Sequence, residues 1–359
     1  MTILDLLREP MKTSDGYAAG GKAMPAIPEG IKIAKLNANE NQLGPSPKVV
    51  DTMSIALTQA YLYPFEQTDL TREAIAKWVG FESENICISN GSTGLICTLG
   101  DVFLNPGDEV IMSSPSYMAY YSMPGRYGAK LVEVADKNFA SNPQAILEAI
   151  TDKTKLVVIV NPNNPTGALM SNEDMDYYMA NVPDHVITVF DEAYIEWVDT
   201  EGYHDATKYV KEGKNVIILR TFSKIFGLAG LRLGYAITTP EIARYLKMIE
   251  FNYGPNRIAL IGARSAIEDK EYIAASRKNN TDGRNYIMKE LRDLGFKVVQ
   301  SYTSFVYFAP TMDTEYLINE LAKKGVLIRD FGKTYSRVSV GRPEQNEQFI
   351  YAVKEICNN

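Results

Sequence analysis

Seven short apolar runs alternate with helix-like stretches between about Tyr61 and Tyr235, and that alternation restricts this part of the chain to βαβ units. The strand candidates are Ile86–Ser89, Glu109–Met112, Lys130–Val134, Leu156–Val160, Val186–Phe190, Val216–Leu219 and Gly234–Ile237. Leu156–Val160 and Val216–Leu219 are apolar at every position, the pattern of parallel strands covered on both faces. Helices are expected near 92–103, 116–127, 143–150 and 171–180, with Ser92, Ser116 and Ser171 as capping residues. The expected unit is a large α/β domain over residues 48–250, built on one mixed or parallel sheet.

After Ile237 the texture changes. Residues 240–294 read as mainly helical, with a turn signal at Asp282-Gly283. Strand patterns return at Lys297–Val299, Phe305–Phe308, Val326–Ile328 and Arg337–Val340, with helices near 313–324 and 344–357. These form a smaller α+β domain over residues 251–359. Residues 1–47, rich in Gly, Pro and Ala, read as an arm that packs on the small domain or on a partner subunit. A chain of 359 residues is long enough for this division, at roughly 100–200 residues per domain.

Charge and cysteine content narrow the possible partners. The net charge is −7 and the Lys and Arg residues are dispersed, so the clustered basic surface of a nucleic-acid binder is missing. Cys87, Cys97 and Cys357 are an odd number at wide spacing, which argues against a disulfide framework and for a reducing, cytoplasmic compartment. His185 and His204 are too few and too distant from the cysteines for a zinc site, and no metal is expected. Met1–Pro10 lacks the regions of a signal peptide. No run of about 18 apolar residues is present, so no membrane span is expected.

Four segments carry chemistry. Arg220–Tyr235 follows a buried-strand run and places Ser223, Lys224, a glycine-containing loop and Arg232 within a few residues. A lysine beside an apolar strand end is costly to hold charged, and the neutral amine is the form that makes Schiff bases. Ser223 and Arg232 offer a hydroxyl and a guanidinium to a phosphate. Asp191-Glu-Ala-Tyr194 follows Val186–Phe190 and puts Asp191 at a strand's carboxyl end, as a ligand-binding group or a helix N-cap. Asn161–Gly167 follows Leu156–Val160 and reads by itself as a Pro/Asn turn. Asn90-Gly-Ser-Thr-Gly94 leads from a strand into a helix and offers N–H groups and two hydroxyls to a phosphate. A nicotinamide site is disfavoured, because Gly91–Gly94 lacks the three-glycine fingerprint.

In this order the four segments resemble the fold-type I pyridoxal-phosphate (PLP) aminotransferases, over a stretch from about Tyr17 to the carboxyl end. Within that group the chain is most similar to the histidinol-phosphate aminotransferase family. Leu36-Asn-Ala-Asn-Glu-Asn41, Gly44-Pro-Ser-Pro47, Tyr63-Pro64, Pro115-Ser-Tyr117, Ile328-Arg-Asp330 and Arg337-Val-Ser-Val-Gly341 add to the likeness. The fold implied is a large mixed-sheet domain plus a smaller α+β domain.

The resemblance also implies roles. Lys224 would be the Schiff-base lysine and the base that moves the substrate's α-proton. Asp191 would pair with the pyridine nitrogen, while Tyr194 and Asn164 would bond the ring's phenolic oxygen. Ser92, Thr93, Ser223 and Arg232 would bind the cofactor phosphate, supported by Thr221 and by Tyr63 from the second subunit of a homodimer. Tyr117 would stack on the ring. Arg337 would hold the substrate α-carboxylate with help from Asn164, and Arg329 and Tyr17 are candidates for a distal anion. Tyr61, Tyr120 and Tyr121 read as packing residues.

The implied activity is transamination of L-histidinol phosphate with the glutamate and 2-oxoglutarate pair. An aromatic amino-acid aminotransferase and a PLP-dependent decarboxylase of a phosphorylated amino acid share the same cofactor residues. A PLP-fold protein without catalysis is a further alternative, although the lysine and its neighbours are present. The chain departs from the family pattern at Gly94, at Ser304 and at Gln42-Leu43.

Overall fold

The computed structural model describes residues 2–13, 25–250 and 254–358. Strand β1 (Ala34–Lys35) lies in the arm. The seven apolar runs follow as β2 (Ile86–Ser89), β3 (Glu109–Ser114), β4 (Lys130–Ala135), β5 (Thr154–Val160), β6 (Ile187–Asp191), β7 (Val216–Thr221) and β8 (Gly234–Thr238). They form one sheet in the order β2-β8-β7-β6-β5-β3-β4. All neighbours are parallel except β8, which runs antiparallel to both β2 and β7.

Alternation along the strands divides the core in two. Val157 and Ile159 of β5 face one apolar layer, while Leu156, Val158 and Val160 face the other. Each such side chain removed from water is worth about 1.5–3 kcal/mol, so both helix layers are held firmly to the sheet. Because β5, β6 and β7 are parallel, the segments that follow Val160, Asp191 and Thr221 emerge at one edge. An open α/β sheet binds its ligands at that edge.

The second sheet is built from β9 (Lys297–Val298), β10 (Phe305–Ala309), β12 (Arg329–Phe331) and β13 (Tyr335–Ser339), antiparallel in the order β12-β13-β10-β9. The intervening strand β11 (Val326–Leu327) pairs instead with β1, in parallel. Ala34 and Leu36 are buried in the same core as Val306, Phe308 and Val338, so this part of the arm packs with the second sheet.

Two local expectations are corrected. The helix expected over 116–127 is broken into Ala119–Ser122 and a 3-10 turn at Pro124–Tyr127, because Pro124 has no N–H to continue the first helix. Asp282-Gly283 is no turn but lies inside the helix Lys270–Asp293. Gly283 serves contact there, since a Cβ would come within 2.5 Å of Asn346 Nδ2 and 2.7 Å of Val340 Cγ1. The helices after residue 254 divide between the two cores. Leu260 and Ala263 of helix Arg257–Glu268 are buried with the large sheet, whereas Ile287 and Leu291 join the second core.

Candidate active site

Asp191 is the last residue of β6, in register with Val160 and Leu219 on the neighbouring strands. It is 2% exposed, and its Oδ2 accepts a hydrogen bond from Tyr120 Oη at 2.9 Å while Oδ1 accepts from the Ala193 N–H at 3.2 Å. No helix starts at Asp191; the next element is a 3-10 turn at Ile195–Trp197, so the N-cap alternative does not apply. Burial pushes the Asp191 pKa from 3.8 up to about 6, against the Tyr120 and Ala193 bonds and the charge of Lys224, which pull it down. A buried carboxyl in that state gains strongly from a cation placed against it, such as a protonated ring nitrogen.

Lys224 follows the end of β7 by three residues. Its Nζ donates to the Asn39 carbonyl at 3.1 Å and lies 5.3 Å from the centre of the Tyr194 ring. Tyr194 is buried, edge-on to Phe305 at 5.1 Å, and its hydroxyl accepts from Asn39 Nδ2 at 2.9 Å. The structure therefore gathers Lys224, Asp191 and Tyr194 at the carboxyl edge of the large sheet. Tyr117 stands nearby, edge-on to Tyr120 at 6.1 Å.

The phosphate-binding candidates meet at the start of helix Gly91–Phe103. The cap residue is Asn90, so Ser92 lies inside the first turn and keeps its hydroxyl for another partner. Gly91 has φ of +76°, and a Cβ on it would sit 2.5 Å from Arg232 Nη2; glycine is what lets the guanidinium lie over the turn. Gly234 is as tightly packed, since its Cβ would meet Ser92 N at 2.5 Å. Arg232 Nη1 donates to Ser223 Oγ at 3.4 Å and to the Ala229 carbonyl at 2.9 Å. Thr221 Oγ1 donates to Ser223 Oγ at 3.0 Å and accepts from the Ser223 N–H at 3.1 Å, leaving the Ser223 proton available. Helix N–H groups, two hydroxyls and a guanidinium make a cup suited to a phosphate.

The residues expected to meet the substrate come from the second sheet. Arg337 of β13 and Arg329 of β12 are direct cross-strand partners, so both side chains leave the same face. Arg337 is buried, with Nη1 bonded to Asn164 Oδ1 at 2.5 Å and Nη2 to the Asn37 carbonyl at 3.3 Å, while Nε has no partner. Its guanidinium lies 5.0 Å from the Phe305 ring centre and 5.2 Å from that of Phe331. Burial pulls its pKa from 12.5 down to about 10, with the Arg329 charge acting in the same direction and Tyr194 opposing. An anion between the two arginines would relieve both penalties.

Two expected residues are not joined to this group within one chain. Tyr63 is 67% exposed, its ring edge-on to Phe65 and its carbonyl accepting from Arg257. Tyr17 lies outside the described residues. Two residues that sequence reasoning missed are Tyr120, expected only to pack, and Asn39, which joins Lys224 to Tyr194. Tyr120 could have been found from its place three residues after Tyr117; no sequence signal marks the hydrogen bond of Asn39.

The donor set fits PLP: a buried carboxyl for the ring nitrogen, an amine at Lys224, a hydroxyl at Tyr194, and a phosphate cup at Gly91, Ser92 and Ser223. Residues 31–353 match the family described as "Aminotransferase class I and II". The chain belongs to that family, and is an aminotransferase by class. Among curated proteins, a histidinol-phosphate aminotransferase of Moorella thermoacetica is 38% identical over 91% of this chain and 86% of its own length. One from Caldicellulosiruptor saccharolyticus is 32% identical over 98% of this chain and 100% of its own. Among solved structures, the histidinol-phosphate aminotransferase from Sinorhizobium meliloti, in complex with pyridoxal-5'-phosphate, superimposes with a TM-score of 0.86 at 27% identity, covering 91% of each chain.

Proposed function

We propose that this protein is a PLP-dependent transaminase that moves the amino group of L-histidinol phosphate to 2-oxoglutarate. One observation carries the choice of substrate: Arg329 and Arg337 face each other across β12 and β13. Two adjacent guanidinium groups match a phosphate dianion better than a single carboxylate. Histidinol phosphate has no α-carboxylate, so both arginines remain for its phosphate. The names of the curated relatives agree.

Bound PLP supplies an electron sink for the carbon that loses its proton. Asp191 keeps the ring nitrogen protonated, and Tyr120 and the Ala193 N–H hold its carboxylate in place. Ser92, Thr93, Ser223 and Arg232 hold the phosphate, with Thr221 orienting Ser223. Tyr117 covers the ring, and Tyr194 with Asn164 bonds its phenolic oxygen. Lys224 Nζ, once free, would take the proton from the amine-bearing carbon of the substrate and carry it to the cofactor carbon on the other side of the amine nitrogen. Asn164 also fixes the Arg337 guanidinium.

A second reading has its own observation. Phe139, Tyr307, Phe331 and Tyr335 form a ring cluster beside Arg337, with Tyr307 and Tyr335 stacked at 4.7 Å. That surface suits an aromatic amino acid whose carboxylate meets Arg337. Steady-state rates with histidinol phosphate, phenylalanine, tyrosine and histidine decide the matter. The expected order puts histidinol phosphate first in kcat/KM; tyrosine or phenylalanine ahead by tenfold would overturn it.

The proposal includes a cytoplasmic homodimer in which Tyr63 reaches the partner's cofactor phosphate. Ile55, Leu57, Tyr61, Leu62, Tyr63 and Phe65 form an exposed apolar stretch that a second copy would cover. Among the described residues, no helix is long and apolar enough to cross a membrane. Mixing Lys224→Ala with Tyr63→Ala should restore activity well above either parent, because one hybrid site then has both residues intact. No rise in a mixture shown to exchange subunits would place Tyr63 outside the shared site.

A further inference from the structure

Asn39 has no part in the scheme above, yet it touches the arm, the large sheet and the second sheet at one point. It is buried with φ of +54°, a left-handed conformation that Asn adopts more readily than most side chains. Its carbonyl accepts from Lys224 Nζ at 3.1 Å, and its N–H donates to Ser339 Oγ at 2.9 Å. Ser339 Oγ donates in turn to Asn39 Oδ1 at 3.1 Å, and Asn39 Nδ2 donates to Tyr194 Oη at 2.9 Å. Ser339 lies two residues past Arg337 on β13.

These bonds fix which way the amide faces. Ser339 Oγ already accepts the backbone N–H, so its own proton takes an acceptor, and Oδ1 supplies one. The Nδ2 donor is left facing Tyr194. A tyrosine hydroxyl that accepts from an amide keeps its single proton for a different partner. Lys224 and Arg337 bring charge toward the Tyr194 ring, and Phe305 packs on its edge, but Asn39 is the residue bonded to its hydroxyl.

We propose that Asn39 is a positioning residue whose side-chain amide turns the Tyr194 proton into the site, toward the phenolic oxygen of the bound cofactor ring, and that Ser339 holds the amide in that sense. The proposal rests on the PLP reading above. A donor on the phenolic oxygen draws off its negative charge and weakens its hold on a proton at the neighbouring nitrogen. Asn39 thereby lowers the pH at which the bound chromophore loses that proton, without touching the cofactor itself.

The test is a pH titration of the long-wavelength absorbance of purified, PLP-loaded protein. Asn39→Gly suits the left-handed backbone and removes the amide; Asn39→Asp replaces the donor with an acceptor that captures the Tyr194 proton. The midpoint should rise by about one unit in Asn39→Asp and by less in Asn39→Gly. Ser339→Ala should raise it too, but add nothing in the Asn39→Gly background. In a Tyr194→Phe background, Asn39→Gly should produce no further shift, because the effect runs through that hydroxyl. A full shift there, or unchanged midpoints in Asn39→Asp and Ser339→Ala proteins that still bind PLP, would overturn the proposal. If the Asn39 variants do not fold, Ser339→Ala with Tyr194→Phe carries the same test. Wild-type protein that takes up no PLP would instead defeat the functional reading on which this one stands.

Discussion

Asp191 ends β6 and Lys224 follows β7, its neighbour in the same sheet, so the register of the two strands brings them together. Arg329 and Arg337 belong to the other sheet, and Arg337 bonds Asn164, just past β5 of the first sheet, and the Asn37 carbonyl of the arm. The difference is in what fixes each half. The cofactor side is set by strand ends whose apolar sides are buried in two layers. The substrate side is set by how two separate cores meet, across an apolar cluster of Ala140, Ala168, Val299 and Tyr307 and polar bonds such as Arg337–Asn164 and Arg284–Asp199. The proposed chemistry thus rests on one sheet buried on both faces, and the proposed substrate choice on the contact between two cores.

The largest expected effect breaks the cofactor half alone. Lys224→Ala should lose at least about 10⁴-fold in kcat while its melting temperature stays near that of the parent. Borohydride should fix PLP to Lys224 in the parent and to no other lysine; peptide mapping reads this, and a label elsewhere would remove Lys224 from its role. Asp191→Ala comes next, with a fall of about 10²–10³-fold in kcat and little change in KM. Tyr120→Phe should move kcat in the same direction by less. A soluble Asp191→Ala enzyme with the parental kcat would leave the carboxyl a purely structural part.

The third change addresses the other half. Arg329→Ala should cost about 2–3 kcal/mol in kcat/KM for histidinol phosphate and much less for tyrosine. Equal losses would take Arg329 away from a distal anion. The smallest effect concerns the seam between the halves, where the carbonyl of Glu196 accepts from Arg277 of the long helix. Both Glu196 carboxyl oxygens are buried without a partner, and burial pushes the pKa from 4.5 up to about 7. The folded state therefore holds this proton more tightly than the unfolded chain, and stability falls as pH rises from about 4.5 to 7. Glu196→Gln should match the parent at pH near 4 and exceed it by about 2 kcal/mol at pH near 8 in chemical denaturation. Parallel stability curves would show that Glu196 does not titrate in this window.

How much of this was legible follows the same division. Lys224, Asp191 and Ser223 could be read because each stands just past an apolar run, where strand, turn and polar group succeed one another locally, and Arg232 follows in the same glycine-containing loop. Arg337 and Arg329 were visible as residues, but their pairing depends on strand register between β12 and β13, which the seven residues between them do not dictate. Tyr120 looked like a core aromatic, and it is one; its hydroxyl merely ends at Asp191. The Asp282-Gly283 signal misled because local turn preference lost to the close approach of Asn346 and Val340. Asn39 was hidden by distance, since its partners Tyr194 and Ser339 are 155 and 300 positions away.

That last separation has a consequence for synthesis. At roughly 5–20 residues per second, a ribosome completes Ser339 about 15–60 s after Asn39 has been made. The large sheet, complete at Thr238, can assemble during that interval and offers Tyr194 and Lys224 to Asn39, but β1 has no β11 to pair with and Asn39 no Ser339 to orient its amide. The nascent protein must carry β1 unpaired beside a nearly finished sheet. A strand of two residues offers little edge for a wrong partner in the meantime.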